Sequence, residues 1–184
     1  MSGLIQEGKI RSWGISETTE DYLRRAHAVC PVTAIENRYS MMARWHEVLF
    51  PAVEELNVAY VAFSPMANGF LTGKYDRHSR FEAGTDYRSI MPQYTPEGME
   101  RGQELIELLN RLAKEKNASP AQISLAWMLC KKPWIIPIPG SRKLERLREN
   151  IGAADVMLTP TEIADIDSRL DRMELLVFGG HSSK

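Results

Sequence analysis

The sequence predicts an α/β protein whose strands are parallel. Three observations support this prediction. Short runs of strand-forming residues alternate with longer segments of helical periodicity, the third strand candidate is apolar along nearly its whole length, and two helix starts carry capping-box sequences. Strands that alternate with helices favour parallel pairing through right-handed crossovers.

Two strand and helix pairs are predicted in the first part of the chain. Residues 10–16 are rich in strand formers, and residues 18–29 carry apolar side chains at helical spacing. Pro31 ends this helix because proline cannot continue it. A second strand is predicted over residues 32–36 and a second helix over residues 45–56.

The third strand, residues 59–63, is apolar enough to be covered by helices on both faces. It precedes a long stretch, residues 64–95, that is punctuated by Gly and Pro and has little periodicity. Loops of this length in a compact domain are usually functional or disordered. Regular structure resumes with an apolar helix face over residues 105–112, and a capping box at 119–122 opens the next helix.

A fourth strand is predicted over residues 134–139. The helix after it is predicted to bury an apolar stripe formed by Leu144, Leu147 and Ile151. A second capping box, residues 159–162, starts the last helix, and residues 172–184 are predicted to be a tail. The 184 residues fit one domain. The pattern fits either an open doubly wound sheet or part of a (β/α)8 barrel, since a full barrel needs about 250 residues.

Composition narrows the partners that we expect. The net charge is only −1, so the chain has no strong field to attract nucleic acid. Two widely separated cysteines indicate buried thiols in a reducing compartment, and the scattered histidines lack metal-binding spacing, so no metal site is predicted. No leader sequence or membrane-length apolar run is evident, and we expect a cytoplasmic protein without a membrane partner.

Several segments together resemble the aldo-keto reductase family. They are residues 7–11 (EGKIR), 14–16 (GIS), 37–40 (NRYS), 63–65 (FSP), 69–75 (GFLTGKY), 138–142 (IPGSR) and 148–150 (REN). In this order, over residues 4 to about 170, the resemblance is to the C-terminal half of the family. It implies that the fold belongs to the (β/α)8 TIM-barrel family, here a C-terminal half-barrel of four βα units plus a C-terminal helix.

The resemblance implies hydride transfer between NADPH and a small aldehyde or ketone. The family's Asp, Tyr, Lys and His catalytic set comes from its first four strands, and no position here matches it. No catalytic residue is therefore predicted. Residues 1–184 are expected to form a single partial NADP-binding domain that is inactive by itself, arising from an internal start, a truncation or a fragment.

One predicted cofactor segment is the helix start after Gly140, where backbone N–H groups and the helix dipole favour an anion. The resemblance implies that Ser141, Arg142 and Arg146 hold the 2′-phosphate of NADPH. It also implies that Glu149 and Asn150 bind the adenine.

The second cofactor segment opens the long loop of residues 64–95. The resemblance implies that its first part straps the pyrophosphate through Ser64, Met66, Asn68, Gly69, Leu71 and Lys74. It also implies that Phe63 stacks on the nicotinamide and that Ser16 bonds its carboxamide. Glu36 stands where an amide is common, and a carboxylate accepts but does not donate. Three alternatives follow for Glu36: its carboxyl group is protonated, it is paired with Arg38 or another cation, or it impairs this part of the pocket.

The alternative function is a non-catalytic interaction or NADP-binding module. Four strands of a barrel would leave two unpaired edges and an uncovered inner face. We expect a homodimer that covers this face, with pairing to a separate N-terminal half-barrel or flattening into an open sheet as the other outcomes.

Overall fold

A single parallel sheet organises the protein, and the computed structural model describes residues 1–179. The sheet has four strands in the order of the chain. They are β1 (Gly14–Ser16), β2 (Ala34–Arg38), β3 (Ala59–Phe63) and β4 (Ile135–Pro137). All three strand pairs are parallel, as the alternation of strands and helices predicts.

Eight α-helices surround or connect these strands in the described part of the chain. They are α1 (Ser2–Gln6), α2 (Glu20–Val29), α3 (Phe50–Glu55), α4 (Pro96–Arg101), α5 (Gln103–Glu115), α6 (Pro120–Lys131), α7 (Leu144–Ile151) and α8 (Pro160–Leu170). Short 3₁₀ helices occupy Trp45–Leu49, Ala67–Thr72, Tyr87–Ile90, Pro92–Tyr94 and Gly152–Asp155.

The prediction of a half-barrel made of four βα units plus a C-terminal helix is wrong. The connection from β3 to β4 contains three α-helices, α4, α5 and α6, and three 3₁₀ helices rather than one crossover helix. The sheet is open, with β1 and β4 at its two edges. The α/β class is confirmed, and the fold is an open four-stranded parallel sheet with a helical insertion.

Helices cover only one face of the sheet. Ile35, Tyr60 and Ile135 point to this covered face and are at most 2% exposed. Val61 and Ile136, which alternate with them, point to the other face and are half-buried and 49% exposed respectively. The expectation that β3 is covered on both faces is therefore wrong.

Local signals predicted helix starts well and burial less well. Both capping boxes form, with Ser119 and Gln122 at the start of α6 and Thr159 and Glu162 at the start of α8. The α7 helix forms, but its predicted buried stripe is exposed. The exposed fractions are 61% for Leu144, 39% for Leu147 and 73% for Ile151. Part of the predicted tail, residues 180–184, lies outside the described residues.

An aromatic pair and an ion-pair network join the segment after β2 to α6 and α8. The buried rings of Tyr39 and Trp127 stack with centroids 5.4 Å apart. The Tyr39 hydroxyl donates to Glu47 Oε1 at 2.6 Å, and the Trp127 indole donates to Asp167 at 2.9 Å. Lys131 Nζ bridges the two carboxylates, at 2.9 Å from Glu47 and 2.8 Å from Asp167. Each charge in this partly buried cluster therefore has a partner.

Glu47 is the acceptor on which this network converges. Burial opposes its ionisation, but hydrogen bonds from Arg44, Tyr39 and Lys131 outweigh that effect and hold the pKa of Glu47 below its ordinary value. A carboxyl group whose pKa is lower in the folded state stabilises the fold at higher pH, and this contribution is lost as the pH falls through the folded pKa.

We expect Glu47→Gln to lower the free energy of unfolding at neutral pH by about 1–3 kcal/mol, because Arg44 and Lys131 lose a charged acceptor. The wild-type chain should lose stability on acidification from the ordinary carboxyl pKa of 4.5 downward, and the variant should lose less. Urea denaturation at several pH values measures both effects. Glu104→Gln, at an exposed position of α5, is the control. Parallel stability curves for the wild-type and Glu47→Gln chains would contradict this assignment.

Candidate ligand-binding site

A pocket of about 500 Å³ opens where β3 and β4 end. Parallel neighbours end at the same edge of the sheet, so the segments that follow these strands meet there. The lining residues are Ser64, Pro65, Met66, Asn68, Gly69, Thr72, Lys74, Tyr75, Arg88, Ile138, Pro139, Gly140, Ser141, Arg146, Glu149 and Asn150. One wall is formed by residues 64–75, which we call the strap. The other wall is formed by residues 138–141, which precede α7, and by α7 itself.

The strap carries an unusual run of left-handed backbone conformations. Ser64, Ala67 and Asn68 have φ values of 52°, 46° and 59°, although none of them is glycine. Gly69 follows at 96°, and a Cβ atom there would lie 3.2 Å from the Tyr75 ring. Non-glycine residues in this conformation cost about 1–3 kcal/mol each and persist where the surrounding structure holds them, often at ligand sites.

The 3₁₀ helix Pro92–Tyr94 holds the strap in place. The Tyr94 hydroxyl donates to the Asn68 carbonyl at 3.1 Å, and the side-chain amide of Gln93 donates to the Ala67 carbonyl at 3.4 Å. Gln93 is fully buried and its Oε1 accepts the Phe178 N–H at 2.9 Å. Gln93 therefore connects the strap to Phe178, close to the last described residue. Sequence reasoning missed it, because no periodicity or spacing marks it within the predicted loop.

The opposite wall presents one cation, Arg146, and backbone donors. Ser141 Oγ accepts the Lys143 N–H at 3.1 Å and closes the turn before α7. Among residues 1–179, no side chain caps the N-terminus of α7, so no side-chain acceptor of this range occupies its first-turn N–H groups. The Arg142 and Arg146 side chains are exposed, and neither forms an ion pair with residues 1–179. This end of the pocket is suited to an anion.

The other arginine of the pocket, Arg88, has a structural role. It forms an ion pair with Asp86 at 2.5 Å, and its hydrogen bonds hold the pKa of that carboxyl below its usual range. It also stacks on the rings of Tyr75 and Phe81, at 4.8 Å and 4.5 Å from their centroids, and donates to the Tyr75 hydroxyl. Because Asp86 neutralises Arg88, Lys74 and Arg146 are the cations left to meet a ligand.

The pocket collects many of the residues that the sequence predicted for cofactor binding. They are Ser64, Met66, Asn68, Gly69, Lys74, Gly140, Ser141, Arg146, Glu149 and Asn150. Ser16, Glu36, Phe63, Leu71 and Arg142 do not line it. Leu71 is fully buried, and Arg142 projects into solvent on the same turn as Ser141. Their predicted roles stay predictions.

The predicted nicotinamide contacts lie along the strand ends outside the pocket. The Ser16 hydroxyl donates to the Glu36 backbone carbonyl at 2.9 Å. The Glu36 side chain is exposed and forms no ion pair within the described chain. Arg38, its expected partner, instead places its guanidinium 4.9 Å from the centre of the Phe63 ring. The Phe63 ring, which is predicted to stack on the nicotinamide, is thus in contact with Arg38.

The described residues also limit other kinds of site. Across residues 1–179, no three His, Cys, Asp or Glu side chains form a group that could hold a metal ion. Within the same range, no helix has the length and apolar character needed to cross a membrane. His181, one of the scattered histidines, lies outside the described residues.

The chain is similar to known proteins along most of its length. The Aldo/keto reductase family model matches residues 1–171. The aldo-keto reductase str7 of Strobilurus tenacellus is 36% identical over 179 residues, which are 95% of this chain and 53% of that protein. The aldo-keto reductase yakc of Schizosaccharomyces pombe, whose name specifies NADP(+), is 35% identical over 176 residues, 94% of this chain and 52% of that protein.

Solved structures show the same similarity. The glycerol dehydrogenase AKR11B4 from Gluconobacter oxydans has a TM-score of 0.83 and 26% identity, covering 94% of this chain and 52% of that one. The thermostable aldo-keto reductase Tm1743, solved with the inhibitor epalrestat, has a TM-score of 0.68 and 25% identity, covering 91% and 52%. The chain spans about half the length of these proteins. The family match covers nearly the whole chain and does not single out a C-terminal half.

We expect Gln93→Met to destabilise the fold by about 1–3 kcal/mol, because it leaves the part-buried Phe178 N–H and the carbonyl of the buried Ala67 without side-chain partners at nearly constant volume. The strap amides of residues 67–73 should then exchange hydrogen faster, as mass spectrometry can measure. Gln103→Met is the control, since that exposed amide bonds only Glu107 nearby. Unchanged strap exchange in Gln93→Met would show that Gln93 does not hold the strap.

Proposed function

The chain belongs to the aldo/keto reductase family, and from this premise we propose that it binds NADP(H) in the pocket between the strap and α7. The proposed activity is the family's hydride transfer between this cofactor and a small aldehyde, ketone or alcohol. One observation carries the proposal. Segments that are far apart in sequence meet in one pocket. Asp86 neutralises Arg88, which leaves Lys74 and Arg146 as the cations that can meet a ligand.

The adenosine end of NADP(H) fits the residues of this pocket. Arg146 and Ser141 supply donors for a 2′-phosphate, and a guanidinium offers two parallel N–H groups to phosphate oxygens. Glu149 and Asn150, half-buried on the next turn of α7, supply an acceptor and an amide for the adenine edge. The strap brings main-chain N–H groups and Lys74 to the same cavity, as a pyrophosphate requires.

The nicotinamide end is less well matched. When bound, the cofactor supplies the hydride, and the chain's own residues hold and orient it. Arg38 contacts the Phe63 ring, and Glu36 offers an acceptor where a carboxamide needs both an acceptor and a donor. The proposal therefore assigns this chain the adenosine and phosphate contacts. The nicotinamide contacts of Ser16, Glu36 and Phe63 stay predictions.

The buried tyrosines do not supply a matched proton donor. Burial raises the pKa of Tyr39, Tyr60 and Tyr94 well above the ordinary tyrosine value. A general acid works best when its pKa lies near the working pH, so these shifts have the wrong sign for proton delivery to a carbonyl oxygen. Tyr39 also donates to Glu47. We assign cofactor binding to this chain and no catalytic residue.

A second candidate function, a non-catalytic NADP-binding or interaction module, is favoured by the uncovered face of the sheet. Val61 and Ile136 point to that face without a helix above them. The two functions are compatible because Val61 and Ile136 do not line the pocket. The chain would serve both functions if it binds the cofactor in the pocket while a partner covers the exposed face of its sheet.

We expect Arg146→Ala to weaken NADPH binding by about 1.5–3 kcal/mol and to leave NADH binding nearly unchanged, because only NADPH carries the 2′-phosphate. Titration calorimetry with both cofactors measures this difference. Arg148→Ala is the matched control, since Arg148 is exposed on the same helix and does not line the pocket. Equal losses for NADPH and NADH, or an equal loss in the control, would refute the assignment of the 2′-phosphate.

A further inference from the structure

The first part of the strap is a strained segment that other parts of the chain hold in place. Ser64, Ala67 and Asn68 have left-handed backbone conformations, which residues other than glycine keep only where their surroundings hold them. Phe70 and Leu71, which come next, are buried and fix the far end of the strap in the core. The part of the strap before Phe70 therefore depends on contacts from elsewhere in the chain.

Gln93 supplies one of these contacts, and its amide can do so in one orientation only. The buried side chain lies between two backbone groups, the Ala67 carbonyl and the Phe178 N–H. Because a carbonyl accepts and an N–H donates, both are satisfied only when Nε2 faces Ala67 and Oε1 faces Phe178. The bond to Phe178 is the shorter, at 2.9 Å against 3.4 Å. The Phe178 N–H therefore sets the orientation in which Gln93 meets the strap.

Residues 177–179 are fixed by contacts of their own. The Phe178 ring packs edge-on against Tyr87, with centroids 5.1 Å apart, and its centre lies 5.9 Å from the Arg38 guanidinium carbon. Gly179 has a φ of 78°, and a Cβ atom there would lie 3.2 Å from Arg38 Nε. A glycine is therefore needed for the close approach of this segment to Arg38.

Arg38 extends these contacts to the start of the strap. Its guanidinium carbon lies 4.9 Å from the centre of the Phe63 ring, and Phe63 directly precedes Ser64, the first residue of the strap. Residues 177–179 thus reach the strap by two routes, through Gln93 and through the end of β3. They lie more than a hundred positions after the strap in the sequence.

We propose that residues 177–179 are a latch that keeps the strap closed over the pocket through Gln93, and that its release limits how fast a ligand enters and leaves. When the Phe178 N–H withdraws, the Gln93 amide loses the group that orients it, and the Ala67 carbonyl loses its donor. The Tyr94 hydroxyl still holds the strap, so the strap opens more often but stays in place. Only the identity of the ligand, NADP(H), rests on the proposed function.

Hydrogen exchange in the absence of ligand tests the latch. The Gly69 and Leu71 N–H groups both donate to the Met66 carbonyl, so their exchange reports opening of the strap. In a chain that ends at Val177, these amides should exchange at least about tenfold faster than in the full chain. A chain that ends at Gly179 keeps both contacts of the latch and should match the full chain. Equal exchange in the two shortened chains would overturn the proposal.

Combination with Gln93→Met separates a latch from a general loss of stability. If the latch acts through Gln93, ending the chain at Val177 adds nothing to the faster strap exchange of Gln93→Met. Additive effects of the two changes would contradict the proposal. If the chain that ends at Val177 does not fold, Gly179→Ala replaces it, since the new Cβ crowds Arg38. Gly8→Ala, also at positive φ but with no atom within 4 Å, is its control.

The kinetics of NADPH binding test the control of ligand exchange. Stopped-flow fluorescence should show association and dissociation rates at least about tenfold higher in the chain that ends at Val177, because a closed strap limits both steps. The dissociation constant should change less than either rate. Unchanged rates beside faster strap exchange would refute this control. If NADPH binds to none of the chains, the proposed function is wrong, and hydrogen exchange alone decides the latch.

Discussion

The parallel pairing of β3 with β4 is the constraint on which the site depends. The register of Tyr60 with Ile135 and Val61 with Ile136 brings the ends of the two strands to one edge. Without this pairing the strap and the start of α7 would be unrelated surfaces. The α6 helix supports the arrangement because it packs against both β4 and the 3₁₀ helix of the strap. The buried Tyr39 and Trp127 rings anchor α6 to the end of β2.

Features set by neighbouring residues were predictable from the sequence. The capping box of Thr159 and Glu162 involves residues three positions apart, so its formation needs no tertiary partner. Burial of the α7 stripe was not predictable, because helical spacing defines a face but not what covers it. The same holds for β3. Its apolar sequence indicated that helices cover both faces of the strand, but only one face is covered. The half-barrel prediction failed for this reason as well, since strand and helix order does not specify closure.

Much of the candidate site was predictable because its residues directly follow strands. Ser64 comes directly after β3, and Ser141 follows β4 closely, so the strand assignments alone place them at one edge. The supports of the site were not predictable. Gln93 acts through contacts with Ala67 and Phe178, which are distant in sequence. Arg88 lies in the predicted loop, which shows no periodicity, and Arg38 reaches Phe63 only because β2 and β3 are paired in register. The family resemblance predicted candidate ligand contacts, and it did not predict the residues that hold them in place.

We propose that the pocket between the strap and α7 holds the adenosine and phosphate groups of NADP(H). A crystal structure of the chain grown with excess NADP⁺ measures this directly. We expect electron density for a 2′-phosphate within hydrogen-bond distance of Arg146 and Ser141, with the strap backbone around the pyrophosphate. Density for NADP⁺ elsewhere on the chain, or an empty pocket at saturating NADP⁺, would contradict it.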